Sequence, residues 1–328
     1  MAINLLILSA GRRVELINCF KRAKERLEIE GMVVAADCSD LAPALYFADK
    51  PVLVPRISEG MGYVDAIISI CRQDDIKLVI PTIDTELLLL SEQKEYIEKN
   101  CDAKVLVSDN AVIKACRNKI NTQEFMEANG FLVPRMLTPK EAMKEDAKYP
   151  LFIKPLDGSS SINAFKVNNQ KEMATYLELV ENPIIQEFIE GKEFTIDVFL
   201  DFTGKIISMV PRVRIATRSG EIAKGKIVKD VEIIQDVKRL METLKPIGHI
   251  TVQCMKTKRG IEYIEINPRF GGGAPMSIMA GADSCENLYR LLRGESLKYN
   301  DNYRENVTFL RFDSSIMLNE ELKREEPV

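Results

Sequence analysis

Five short apolar segments punctuate the first 110 residues, at 4–8, 32–37, 52–54, 78–81 and 104–107, with helical stretches to about residue 27, at 63–71 and at 86–98. A strand that is apolar along its whole length must be covered on both faces. When such strands alternate with amphipathic helices, the arrangement that buries all of them is a parallel, doubly wound α/β sheet. The spacing therefore predicts such a sheet over residues 1–110. The first turn, Ser9-Ala-Gly-Arg-Arg13, departs from the G-x-G-x-x-G dinucleotide pattern. Asp37 alone does not restore that pattern. Thr82-Ile-Asp-Thr-Glu86 reads as a helix cap, with a minor prospect of lining a cleft at the strand C-termini.

Beyond residue 110 the pattern changes. A helix is expected over 110–129, an extended linker at 132–134 and a short helix at 139–146. Strands at 151–154 and 163–168 flank the loop Asp157-Gly-Ser-Ser-Ser161, and a helix follows at 171–180. Long strands are expected at 184–188, 193–200, 204–214, 225–229, 248–256 and 261–267, with a helix at 231–244. This is α+β with a mostly antiparallel sheet. The charged tail, 319–328, is expected to fray.

Composition excludes several classes of function. The 328 residues carry a formal net charge of −4, with 46% apolar and 29% charged residues. Such a chain is a globular protein of two or three domains without the basic stripe that nucleic-acid binding requires. No apolar run is long enough for a membrane span, and the apolar N-terminus reads as a strand and not as a signal peptide. Seven cysteines with no C-x-x-C pair fit reduced thiols in a cytoplasmic setting. The single histidine, His249, makes a histidine-based zinc site improbable and suits a structural role.

The chemistry concentrates in Ile261-Glu-Tyr-Ile-Glu-Ile-Asn-Pro-Arg-Phe-Gly-Gly-Gly273. Strand alternation would put Tyr263, Glu265 and Asn267 on one face, with Arg269 just past Pro268. Carboxylate and amide oxygens suit Mg²⁺, and a guanidinium suits a carboxylate or phosphate. Lys154 ends a strand before the Gly/Ser loop, a pairing able to bind phosphate without being a Walker P-loop. Ile185-Gln-Glu-Phe-Ile-Glu-Gly-Lys-Glu193 offers an apolar slot, backbone groups and carboxylates, as adenine and ribose need. Arg212 and Arg214 alternate on one strand face and could point at a substrate carboxylate or simply meet solvent. Arg218, Lys224 and Lys226 could line the phosphate or the acceptor, or simply flank a flexible loop.

In this order the segments resemble the ATP-grasp superfamily, specifically single-unit enzymes similar to one half of the carbamoyl-phosphate synthase large subunit. The resemblance covers nearly the whole chain. It implies a preATP-grasp Rossmann-like domain at 1–110 and an ATP-grasp domain at 111–328, with a lid at about 111–183 and a catalytic part at about 184–328. It implies that Lys119 and Lys154 hold the ATP phosphates and that Ser159, Ser160 and Ser161 form the loop closing over them. Glu187, Phe188 and the backbone of Ile189 match the adenine contacts, and Glu193 matches the ribose carboxylate. Gln253, Glu265 and Asn267 match the Mg²⁺ ligands, a set that Mn²⁺ could also use. Arg269 matches the arginine beside the transferred phosphoryl group, and Arg212 and Arg214 remain candidates for binding substrate. One departure is that the synthase pattern has one more residue between the adenine and ribose contacts.

The activity implied is an ATP-dependent carboxylate–amine (or thiol) ligase acting through an acyl-phosphate. Two alternatives stand beside it: a carbamoyl-phosphate-synthase-like kinase of bicarbonate or carbamate, and an ATP-binding regulator without catalysis. The expected partners are small carboxylates and amines, with a homodimer left open by analogy of fold alone.

Overall fold

A computed structural model describes residues 2–156, 162–218 and 220–325. The N-terminal part alternates strands and helices in chain order. These are β1 (Asn4–Ile7), α1 (Val14–Arg26), β2 (Val33–Asp37), β3 (Lys50–Leu53), α2 (Met61–Gln73), β4 (Ile76–Ile80), α3 (Asp84–Asn100) and β5 (Lys104–Val105). The strands form one parallel sheet in the order β3-β2-β1-β4-β5. Leu5 and Ile7 face one core with α1, while Leu6 and Leu8 face the other with α2 and α3. The uninterrupted apolar runs are thus explained: successive side chains enter two different cores.

The middle of the chain contains α4 (Asn110–Arg117), α5 (Lys119–Ala128), β6 (Met136–Leu137), α6 (Pro139–Ala142), β7 (Leu151–Pro155), β8 (Phe165–Val167), α7 (Gln170–Leu179) and β9 (Pro183–Glu187). The single helix expected over 110–129 is two. Asn118 leaves helical geometry, and its side chain accepts from the backbone N–H groups of Ile120 and Asn121 to start α5. The four strands form a small antiparallel sheet in the order β6-β9-β7-β8. It has its own compact core of Ala142, Leu151, Ile153, Val167, Met173, Val180 and Ile185.

The last part contains β10 (Lys192–Leu200), β11 (Ile206–Arg218), β12 (Glu221–Ile227), α8 (Val231–Leu244), β13 (Gly248–Lys256), β14 (Ile261–Asn267), α9 (Ala274–Met279), α10 (Ser284–Leu292) and β15 (Thr308–Leu310). Its antiparallel sheet runs β14-β13-β10-β11-β12-β15. Phe194, Ile196 and Val198 of β10 pack beneath it against α8. The strand expected at 225–229 begins earlier, at Glu221, because β11 and β12 form a hairpin. The tail expected to fray instead contains a short pairing, β16 (Met317–Leu318) with β17 (Arg324–Glu325).

The C-terminal helices do not stay with their own sheet. Phe270, Ala274, Ile278, Cys285, Leu288 and Tyr289 enter the same core as Leu5, Ile7 and Phe20. Phe20 meets Phe270 edge-on at 5.8 Å and Tyr289 at 6.3 Å. This shared core fixes the segment after β14 against the first β–α turn of the N-terminal sheet. A buried phenylalanine such as Phe270 contributes roughly 3–5 kcal/mol relative to alanine.

Candidate active site

A cleft of about 630 Å³ opens where the three sheets meet. Its walls come from the turns after β1 and β4, from β7 and β9 of the small sheet, and from β10, β11, β13 and β14 of the large one.

The pairing of β13 with β14 decides which side chains face the cleft. Gln253 lies opposite Glu265, and Thr251 opposite Asn267, but the register shifts so that Cys254 lies opposite Tyr263. The extra residue is Ile264, a β-bulge. It turns Tyr263 away from the cleft. Tyr263 is 2% exposed in the core under the sheet and donates to Asp236 at 2.8 Å. Simple alternation, which groups Tyr263 with Glu265 and Asn267, fails at that one residue. Gln253, Ile264, Glu265 and Asn267 line the cleft instead.

Lys154, at the end of β7, lines the same cleft from the opposite side. Burial pushes its ammonium down to about 8, against the pull of Glu265 and with the further repulsion of Lys119. Lys154 has no hydrogen bond or ion pair among the described residues. The Lys119 ammonium donates to the Leu156 carbonyl at 2.7 Å, just beyond β7. Ser159, Ser160 and Ser161 lie outside the described residues.

The turn after β9 supplies Glu187, Phe188 and Ile189, all lining the cleft. Glu187 accepts from the backbone N–H of Arg135 at 2.9 Å and pairs with Arg259. Burial works to raise its carboxyl, but these donors hold it below the usual range. Phe188 packs beside Phe152 and under the Lys166 ammonium, 4.2 Å from its ring centre.

Arg214 ties the cleft side of the large sheet together. It approaches Glu193 at 3.1 Å and donates to Gln253 Oε1 at 3.1 Å and to the Gly220 carbonyl at 2.9 Å. Gln253 in turn donates to Glu265 at 3.4 Å. Arg212 is 1% exposed and lies beneath the glycine loop. It donates to the Gly273 carbonyl at 2.9 Å and pairs with Asp197 at 3.2 Å. Burial would raise the Asp197 carboxyl, but Arg212, His249 and Ser277 bring it down to about 2. His249 stacks on Phe270 at 4.2 Å, with Nε2 3.6 Å from Asp197.

The glycines permit this closeness. A Cβ on Gly273 would lie 2.1 Å from Arg212 Nη1, and one on Gly271 would lie 2.6 Å from Thr251 Oγ1. Arg269, just ahead of the loop, gives both Nε (3.1 Å) and Nη2 (2.5 Å) to Asp84 Oδ2 at the start of α3. The phosphate-side arginine expected from the sequence is therefore clasped by a carboxylate of the N-terminal sheet.

Residues 5–106 match the family described as PylC-like, N-terminal domain, and residues 116–273 match the ATP-grasp domain. The chain belongs to the ATP-grasp superfamily. The carbamoyl-phosphate synthase of Methanobrevibacter smithii is 24% identical over 183 residues, 54% of this chain and 48% of that protein. D-alanine–D-alanine ligase B of Clostridium perfringens is 24% identical over 189 residues, 52% of this chain and 63% of that protein. This ATP-grasp chain thus spans about half to two thirds of the length of such relatives. Among solved structures, an L-amino acid ligase from Bacillus licheniformis has a TM-score of 0.70 at 18% identity, over 97% of this chain and 82% of that one. A biotin carboxylase domain from Hydrogenobacter thermophilus, solved with MgADP and bicarbonate, has a TM-score of 0.72 at 16% identity, over 94% and 74%. The likeness to both is one of fold.

The donor set of this ATP-grasp chain fits a magnesium–nucleotide pair. Among the described residues no three His, Cys, Asp or Glu side chains cluster as a self-contained metal site. One carboxylate, Glu265, with the amide oxygens of Asn267 and Gln253 suits a cation whose remaining ligands are phosphates and water. Opposite it stands Lys154, which pairs with no anion among the described residues. Sequence reasoning left Arg13, Asp84 and Glu221 outside the site residues, although all three line the cleft. Arg13 and Asp84 fall in the two turns, Ser9–Arg13 and Thr82–Glu86, that the sequence offered as candidate cleft walls without assigning either residue a role. The available signal was positional, since both turns end parallel strands at their carboxyl edge.

Proposed function

We propose that this chain binds MgATP between β7 and β14, phosphorylates a small carboxylate and joins the product to an amine, releasing ADP and phosphate. The observation that carries this reading is Lys154, largely buried and without a hydrogen bond or ion pair among the described residues, facing Glu265 across a single cleft. In the reading, residues 1–110 are the preATP-grasp domain. Residues 111–328 are the ATP-grasp domain, with its lid at about 111–183 and its catalytic part at about 184–328.

The residue roles follow from their chemistry. Lys119 and Lys154 hold phosphate oxygens. The backbone at Glu187 and Ile189, with Phe188 beside it, receives adenine, since the Glu187 carboxylate is already committed to Arg259. Glu193 shares a ribose hydroxyl with its present partner, Arg214. Mg²⁺ held by Glu265, Asn267 and Gln253 would neutralise triphosphate charge so that an anionic carboxylate can approach. Arg269 stabilises charge on the transferred phosphoryl group, while Arg214 and the deeper Arg212 hold the glycine loop and the Gln253 amide in place. The thiols support a cytoplasmic setting, because every cysteine is free and six of the seven are buried. A homodimer belongs to the reading by analogy with the biotin carboxylase domain dimer.

The test is ADP release across a panel of amino acids, with and without bicarbonate and ammonium. Turnover with a carboxylate and an amine supports the ligase. Turnover only with bicarbonate and ammonium supports the carbamoyl-phosphate-synthase-like alternative. Tight MgATP binding without turnover supports a regulator. Glu265→Ala should keep the far-ultraviolet circular dichroism of the wild type and lose ADP release. Normal turnover in that variant would remove Glu265 from the metal site.

A further inference from the structure

The basic groups of the cleft can be matched to their anions one by one. Arg269 is held by Asp84, Arg214 by Glu193 and Arg212 by Asp197. Glu221, whose Oε1 flanks Gly272 on the same wall as Arg13, is taken by Arg311 at 2.9 Å. Lys119 is engaged by the Leu156 carbonyl, while Lys154 and Arg13, which line the same cleft, have no salt bridge to a carboxylate among the described residues. Lys154 stands on the small-sheet side, where the proposed nucleotide phosphates lie. Arg13 stands on the opposite wall, in the turn between β1 and α1, beside Ile83 and Asp84.

The position of Arg13 is built and not incidental. Its Nη2 donates to the Thr82 carbonyl at 3.1 Å, which ties the guanidinium to the second N-terminal turn. Its Nη1 reaches across to the glycine loop, 3.2 Å from where a Cβ on Gly272 would stand. Gly272 thereby leaves the guanidinium room against the backbone. Burial and the neighbouring charge of Arg269 push Arg13 down to about 10, despite Glu221 and Asp84 nearby. A guanidinium fixed at one corner, with its remaining donors toward a cleft, is shaped to take a planar oxyanion.

We propose that Arg13 anchors a carboxylate of the small-molecule substrate on the N-terminal wall of the cleft, across from the nucleotide. This deepens the ligase reading and rests on it. The substrate is accordingly an anion that reaches the glycine loop, and its carboxylate lies among Arg13, Gly272 and Arg269. The nucleotide is the competing source of an oxyanion, so the test separates the two.

The experiment measures thermal melting of the full chain in MgADP, with 20 small carboxylates (amino acids, malonate and succinate among them) and inorganic phosphate added singly. MgADP should raise the melting temperature of wild type and of Arg13→Gln equally. At least one carboxylate should add a further shift of about 2 °C or more in wild type, and Arg13→Gln should lose that increment. The same carboxylate, but not MgADP alone, should block labelling of Arg13 by phenylglyoxal in the wild type, read by peptide mass spectrometry. The labelling arm decides the matter if Arg13→Gln does not fold. An increment kept in Arg13→Gln, no carboxylate increment in wild type, a response to phosphate alone, or protection by MgADP alone overturns the proposal. A wild type that ignores MgADP itself removes the ligase reading instead.

Discussion

Two single residues carry opposed demands of folding and chemistry. Lys154 holds its proton less tightly in the fold than in water, falling from 10.5 to about 8 because it is buried. Folding therefore favours the neutral amine more than the unfolded chain does. The charged form costs stability at neutral pH, and that cost fades as pH rises from about 8 toward 10.5. Lys154→Met should raise the melting temperature at pH 7, by an amount equivalent to roughly 1–3 kcal/mol, and should abolish nucleotide binding in calorimetry. A variant of unchanged stability would mean that the ammonium is solvated. Asp84 presents the reverse case. It competes for Arg269, so Asp84→Asn should tighten a γ-phosphate-bearing analogue relative to ADP by roughly 2–5-fold. Equal effects on both nucleotides would place Arg269 away from the γ-position.

At the scale of elements, the glycine loop is held from below. Arg212 on β11 reaches the Gly273 carbonyl, and Asp197 on β10 holds Arg212, with Thr195 opposite Arg212 in the ladder. Gly273→Ala would drive a methyl group into the guanidinium and break a fully buried pair. The expected loss approaches the roughly 3–5 kcal/mol that follows removal of one partner from such a pair, read as a lower urea midpoint. The Asp197 carboxyl, lowered to about 2 from 3.8, contributes stability above the unfolded value that is lost as pH falls through the folded one. Asp197→Asn should thus flatten the acid limb of the stability profile between pH 4 and 2. An unchanged slope there would show that another carboxyl governs it.

For the whole molecule, stability is divided unequally among cores. The small sheet has the compact core of Ala142, Leu151, Ile153, Val167, Met173, Val180 and Ile185, whereas the N-terminal sheet is buried on two faces and shares one core with the C-terminal helices. Local opening costs least where least apolar surface is buried. Amide hydrogen exchange should be fastest in β6–β9 among the sheets, and MgADP should slow it there more than in β1–β5. Uniform slowing would mean that the nucleotide does not bridge the small and large sheets.

Much of this architecture was legible in the chain itself. Runs such as Leu5 to Leu8 can only be strands covered on both sides, and the long alternating strands after residue 184 can only pair antiparallel around a core. The motif from Glu265 to Gly273 put a carboxylate, an amide, a guanidinium and close backbone approach in one segment, and all of these line one cleft. Sequence patterns report periodicity within an element, and three errors arose where a local interaction broke that periodicity: the Asn118 cap, the Ile264 bulge that buries Tyr263, and the hairpin that starts β12 at Glu221. The clasp of Arg269 by Asp84 and the open guanidinium of Arg13 were beyond reach for a different reason. They bring together groups from opposite ends of the chain, and only the packing of Phe20 against Phe270 and Tyr289 sets the distance between them. The chain's local chemistry determined which groups a site could contain. The shared core determined which of those groups neutralise one another and which are left facing the cleft.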